Sequence, residues 1–281
     1  MTSGELDAPS PVWGETRRGA QQASRVAAFL RQCLALGEME LRKLRHDPTE
    51  LATRAVQPAL WLAVFGEVFT RVRAIPTGQL RYLDFMAPGV LAQSVLFIAI
   101  FYGIAVIWER DLGLVHKLLV SPASRLALVS GKSLSAGVRG LAQACMVYLL
   151  AWLLGVKIKW HAGPLAGVAV AVMLGAAAFA TLSLIVACIV KTRERFMGIG
   201  QILTMPLFFA SNAVYPIAIM PEWLKVAARI NPLTYEVDAM RALMVKGGGS
   251  AYGVGVDFIV LAAVTLALAG VASRLYPNLA R

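Results

Sequence analysis

Charge is scarce in this sequence, and acidic charge scarcest of all. Of 281 residues only 15% are charged, with 16 Asp and Glu against 27 Lys and Arg, while 58% are hydrophobic and the mean hydropathy is +0.66. A soluble globule of this length could not cover itself with so little polar surface, so the chain must use lipid as part of its solvent. Cysteine is nearly missing as well. Cys33, Cys145 and Cys188 have no paired spacing, and at least two lie in apolar stretches where a thiol behaves as a small hydrophobe, so all three read as structural. The three histidines, His46, His116 and His161, are scattered over different polar segments with no carboxylate or cysteine cluster at ligand spacing, which argues against a metal site. There is no serine nucleophile elbow, and paired carboxylates are confined to loops, so no catalytic residues are assigned. Gly131, Lys132 and Ser133 imitate the end of a phosphate-binding loop, but position 126, where the loop needs glycine, is Leu. No cofactor is expected on this chain. The net charge of +11 does not signal nucleic acid, because the basic residues sit in short clusters between long apolar runs, as loops at a membrane face do.

Those apolar runs define the expected fold class: an all-α, polytopic membrane protein with about six transmembrane helices. Windows at 54–71, 84–107, 137–156, 164–190, 196–214 and 256–275 are apolar, and most are long enough to cross a core of roughly 30 Å at about 1.5 Å per residue. The first is the weakest, since it carries Pro58 and Glu67 and begins at Arg54, whose side chain can snorkel to the headgroups. Six crossings put both termini on one side. Segments sharing the side of the termini hold 18 Lys and Arg against 9 on the other, so both termini are expected in the cytoplasm. Glu5, Asp7 and Pro9 precede any apolar run, unlike a signal peptide, so insertion should begin from the first hydrophobic helix. Residues 1–24 read as a disordered or flexible cytoplasmic tail, and 25–281 as one transmembrane domain.

Three other segments are not ordinary loops. From Val26, apolar residues Phe29, Leu30, Cys33, Leu34, Leu41 and Leu44 recur at three- or four-residue steps among Arg25, Arg31, Arg42, Lys43 and Arg45, predicting an N-terminal interfacial amphipathic helix. After the second window come Glu109, Arg110 and Asp111, then Leu112, Leu114, Val115, Leu118 and Leu119, closed by Ser121 and Pro122. A short helix fits this run. Ahead of the last window, Pro216, Pro221 and Pro232 punctuate two short helices on the outer side, too polar to be a seventh span.

In this order, the segments resemble the permease subunits of type-2 ABC transporters, and most closely the daunorubicin-resistance-type drug exporters. The specific pieces are Glu109 to Pro122 (ERDLGLVHKLLVSP) and Asn231 to Leu243 (NPLTYEVDAMRAL), the latter preceded by Met220, Pro221, Glu222 and Trp223. The resemblance implies a homodimer or heterodimer of permeases in the inner (plasma) membrane on two ATP-binding subunits, which would hold ATP and Mg. It implies outward movement of a hydrophobic or amphiphilic substrate, drug or lipid-like, with lipo-oligosaccharide or polysaccharide export by the same mechanism as an alternative. By the same resemblance Glu109, Arg110, Asp111, Leu112, Val115 and Leu119 couple to the ATPase. Asn231, Pro232, Asp238 and Arg241 belong to the extracellular motif.

Polar groups inside the spans carry the remaining signal, because each is costly in lipid and turns to a partner helix or a wet cavity. Gln201, Thr204, Ser211 and Asn212 fall near one face of the fifth window, with Pro206 among them, so that face could line a pathway or could hydrogen-bond neighbouring helices. Gln93, Arg139 and Gln143 are more isolated and read as packing groups, and the Gly163 to Gly167 spacing as a close helix contact. A membrane-embedded lipid enzyme would need an ionisable cluster near one headgroup layer. A secondary transporter would need acidic residues at the midplane, yet Glu67, near a helix end, is the acidic residue that stands out in the windows. The lack of an energy source on the chain favours a partner ATPase.

Overall fold

The computed structural model describes residues 48–73, 75–113 and 125–280, and among them all the regular secondary structure is helical, with turns and loops between the helices and one isolated antiparallel bridge between Ile158 and Val245. The expected tail, the interfacial amphipathic helix and Val115 and Leu119 of the coupling run lie outside the described residues. The first window is a continuous helical rod made of α1 (Pro48–Leu60), a π-helical turn (Trp61–Gly66) and α2 (Glu67–Val72). Then come α3 (Tyr82–Asp111), α4 (Arg125–Leu153), α5 (Ala162–Ile189), α6 (Arg193–Phe209), α7 (Glu222–Ile230), α8 (Pro232–Met244) and α9 (Val254–Leu275). This is a polytopic all-α membrane protein. Four helices, α3, α4 from Leu128, α5 and α9, are long and apolar enough to cross a membrane. The fifth window falls on α6, whose 17 residues reach about 26 Å by the usual helical rise.

Helix α5 is the centre of the bundle, packing against α3, α4, α8 and α9. Its sequence explains the position. Few residues in AGPLAGVAVAVMLGAAAFATLSLIVACI are bulky and none is charged, so neighbours approach closely on several sides at little desolvation cost. A Cβ at Gly140 of α4 would meet Val172 at 3.2 Å, and one at Gly167 would meet Leu243 at 2.8 Å. Gly163 has open space around it, so of the Gly163 and Gly167 pair only the second marks a packed contact. The α3 span window is 67% buried against 11% for α9, which leaves most of α9 facing outward.

The chain direction sorts the polar residues into two ends. Tyr82 of α3, Leu153 of α4, Ala162 of α5, Phe209 of α6 and Val254 of α9 lie at the end that α8 caps. Asp111, Arg125, Ile189, Arg193 and Leu275 lie at the opposite end. There a second apolar cluster of Val106, Ile107, Val129, Ala187, Phe196 and Tyr276 closes the bundle beneath the charges.

Candidate functional site

At the end of α3, helical spacing turns Glu109, Arg110 and Asp111 towards different neighbours. Glu109 pairs with Lys132 of α4, while the Arg110 guanidinium donates to the carbonyls of Val190 at 3.2 Å and Lys191 at 2.6 Å, which join α5 to α6. Asp111 accepts from Arg193 at 2.8 Å, and Arg193 also lies 3.6 Å over the Trp108 ring. Three consecutive charges therefore tie α3 to α4, to the end of α5 and to the start of α6. The next residue, Leu112, is 68% exposed, an apolar side chain presented just where α3 ends.

The opposite end is organised by α8, which Asn231 starts by accepting from the Leu233 N–H at 3.0 Å, with Pro232 in the first turn. Asn231 also donates to the Leu207 carbonyl of α6 at 2.6 Å. Asp238 and Arg241, one turn apart, form a buried ion pair at 3.4 Å. Arg241 reaches the carbonyls of Asn212 at 2.6 Å and Phe85 at 3.3 Å and lies 3.9 Å over the Phe85 ring. Asp238 accepts from Asn212 at 2.7 Å and from the Ala251 N–H at 2.6 Å. The motif is thus a buried knot joining α3, the end of α6, α8 and the start of α9. Burial pulls the Arg241 guanidinium down to about 10, with the Asp238 charge acting against it.

The fifth-window residues separate in space. Helix α6 ends at Phe209, so Ser211 and Asn212 stand in the turn beyond it and not on a helical face with Gln201 and Thr204. Thr204, Ser211 and Asn212 are buried and bonded within the chain, to the Gly200 carbonyl, to the Phe208 carbonyl at 2.7 Å and to Asp238. Gln201 is exposed beside Ile202. Gln93 and Gln143 are buried, and Arg139 lies 5.2 Å over the Tyr102 ring.

Three acidic residues escaped the sequence reading. Asp84 and Asp257 occupy first turns of α3 and α9, inside the second and sixth windows, where the count of acidic residues had singled out Glu67 alone. Asp84 accepts from Arg81 and from the Lys157 N–H, each at 3.1 Å, and Asp257 accepts from Ser250 at 2.7 Å. Glu236 of α8 is fully buried against Gly175 of α5, where any side chain on the glycine would strike the carboxyl, and neither of its oxygens has a hydrogen-bond partner among the described residues. Burial alone holds this carboxyl well above its ordinary range. A window edge hides such residues, since an acid one turn inside a span looks the same in sequence whether it faces headgroups or a buried serine.

Among the described residues no group of three or more His, Cys, Asp or Glu could hold a metal ion. A bundle of membrane-crossing helices clamped by charge at one end and capped by a short buried-charge helix at the other defines a permease. The chain belongs to the ABC-2 type transporter family, which matches residues 31–245. It is 25% identical over 281 residues to a daunorubicin resistance ABC transporter permease protein, DrrB1, of Streptomyces coeruleorubidus, covering 98% of this chain and 97% of that protein. It is 26% identical over 235 residues to a protein of Cyanophora paradoxa named as a transport permease, ycf38, covering 81% and 80%. A third relative, of Mycobacterium tuberculosis and named for doxorubicin resistance, is 25% identical over 233 residues, 82% of each chain. Family membership carries with it association with an ABC ATP-binding subunit and dimerisation.

Proposed function

We propose that this permease exports a hydrophobic or amphiphilic substrate, a drug or lipid-like molecule, driven by two copies of an ATP-binding subunit that hold ATP and Mg. The observation that carries the reading is the clamp at the Asp111 end. Glu109, Arg110 and Asp111 bind three other parts of the bundle, and the coupling run through Leu112 to Val115 and Leu119 begins immediately after them. Nucleotide-driven motion of a partner seated on this run is passed to α3, α4, α5 and α6 as one displacement. The excess of 18 basic residues over 9 supports placing this end and both termini in the cytoplasm of a bacterial inner membrane.

The second permease copy belongs on the rod of α1 and α2. Val56, Leu60, Val64, Val68 and Val72 repeat every four residues along it and all are exposed, and α6 adds Met197, Ile202 and Phe209. The pathway then runs where these faces meet, with Gln201 on its wall. The relatives' names support a drug of the daunorubicin and doxorubicin kind as the first substrate to try. The test is ATP-dependent accumulation of daunorubicin and a panel of amphiphiles in inside-out vesicles holding the permease with its ATP-binding subunit. Accumulation of at least one amphiphile, abolished without ATP, is the expected result. A complex that hydrolyses ATP yet moves no member of the panel would sink the proposal.

A further inference from the structure

A cleft of about 560 Å³ opens on the outer surface of the seam between α4 and α5, at the α8 end. Its walls are apolar and aromatic. Cys145, Tyr148, Leu149 and Trp152 come from α4, and Val168 from α5, while Trp160 closes it from the connecting loop. Trp152 and Trp160 are each 56% exposed, which suits the headgroup boundary, where an indole has an apolar body and a wet edge.

The loop that bears Trp160 is basic. Lys157 is exposed, and the bridge between Ile158 and Val245 brings the exposed Lys246 alongside, its N–H donating to the Lys157 carbonyl at 2.8 Å. Lys159 and Arg81 stand in the same rim, Lys159 donating to the Ala242 carbonyl at 2.7 Å. The acid packed into this rim, Asp84, is 2% exposed and already engaged by Arg81 and the Lys157 backbone N–H, so it offers no surface carboxylate to the exposed Lys157 and Lys246. The adjoining N-terminus of α5 has no side-chain cap, and its Gly163 is open. Basic residues are disfavoured on the side away from the cytoplasm, where this rim lies in the proposed orientation, so the cluster calls for an anionic counterpart.

The geometry points to a binding site for an anionic phospholipid, with one acyl chain in the cleft between α4 and α5 and the phosphate at Lys157 and Lys246. A lipid is favoured over a transported amphiphile because the cleft lies on the α4 and α5 seam. The exposed Gln201 face belongs to α6, which packs chiefly on α3.

The test uses the full chain purified in detergent and titrated with phosphatidylglycerol or phosphatidylcholine carrying brominated acyl chains, read by tryptophan quenching. Brominated phosphatidylglycerol should quench at several-fold lower concentration than brominated phosphatidylcholine. The preference should vanish in the surface double variant Lys157→Gln/Lys246→Gln, and the quenched component should be lost in Trp152→Phe/Trp160→Phe. Equal quenching by the two lipids in the unaltered protein overturns the inference, as does a preference that survives the double lysine change. Displacement of bound phosphatidylglycerol by an amphiphile that the complex transports would assign the cleft to transport and also overturn it.

Discussion

At the Asp111 end the paired side chains of Asp111 and Arg193 are 39% and 34% exposed, whereas at the α8 end those of Asp238 and Arg241 are 2% and 6% exposed. The first pair bridges α3 and α6, while the second lies within α8 and ties that helix to its neighbours through further hydrogen bonds; water screens only the first. A surface pair can break and re-form as the helices shift, at little cost to the fold. A buried pair cannot lose one member without leaving a charge stranded in a poor dielectric. The difference suits a device that is driven from one end and held at the other.

The largest effect should come from Arg241→Leu. It strands Asp238 and removes the ties to Asn212 and Phe85, so loss of this buried pair should cost about 3–5 kcal/mol. Folded, monodisperse protein recovered in detergent should fall sharply, and recovery equal to the parent would break the contrast between the two ends.

A smaller effect, with a sign that depends on pH, is expected from Glu236→Gln. The native carboxyl sits well above its ordinary value of 4.5 through burial. Its contribution to stability is therefore present in full below about pH 4.5 and is lost as pH rises through the folded-state pKa, because the buried form is the neutral acid. The unfolding temperature of the variant should exceed that of the parent at pH 8 and converge with it at pH 4.5. A difference independent of pH would show that Glu236 carries its charge in the fold.

Asp111→Asn should alter the fold least. Its unfolding temperature should match the parent's, while ATP-driven transport by the assembled complex drops, since the link from α3 to Arg193 of α6 is weakened. Should its stability fall as far as that of Arg241→Leu, the exposed end would be structural in the same sense as the buried one.

Much of the bundle was legible beforehand, because a run of twenty apolar residues has few fates outside a membrane. Windows two, three, four and six became α3, α4, α5 and α9. The breakers Pro221 and Pro232 start α7 and α8, since proline suits a helix's first turn and not its interior. The fifth window was harder to read. Its apolar content runs on past Phe209, but the chain turns at Ala210, where Ser211 bonds back to the Phe208 carbonyl and Asn212 is drawn into the Asp238 knot. Periodicity marks a face and says nothing of where a helix stops when a distant carboxylate competes for its last residues.

Composition and apolar spacing alone determined that this chain lives in lipid, how its long spans are ordered and that two short helices precede the last of them, because those properties depend on local transfer free energy and chain length. Tertiary structure alone decided which charges are buried. Arg241 meets Phe85 across 156 positions of sequence, Arg110 meets Val190 across 80, and Glu236 meets a glycine on another helix. Whether an ionisable group is solvated, paired or stranded depends on what lies within a few ångströms of it, and only packing brings those neighbours together.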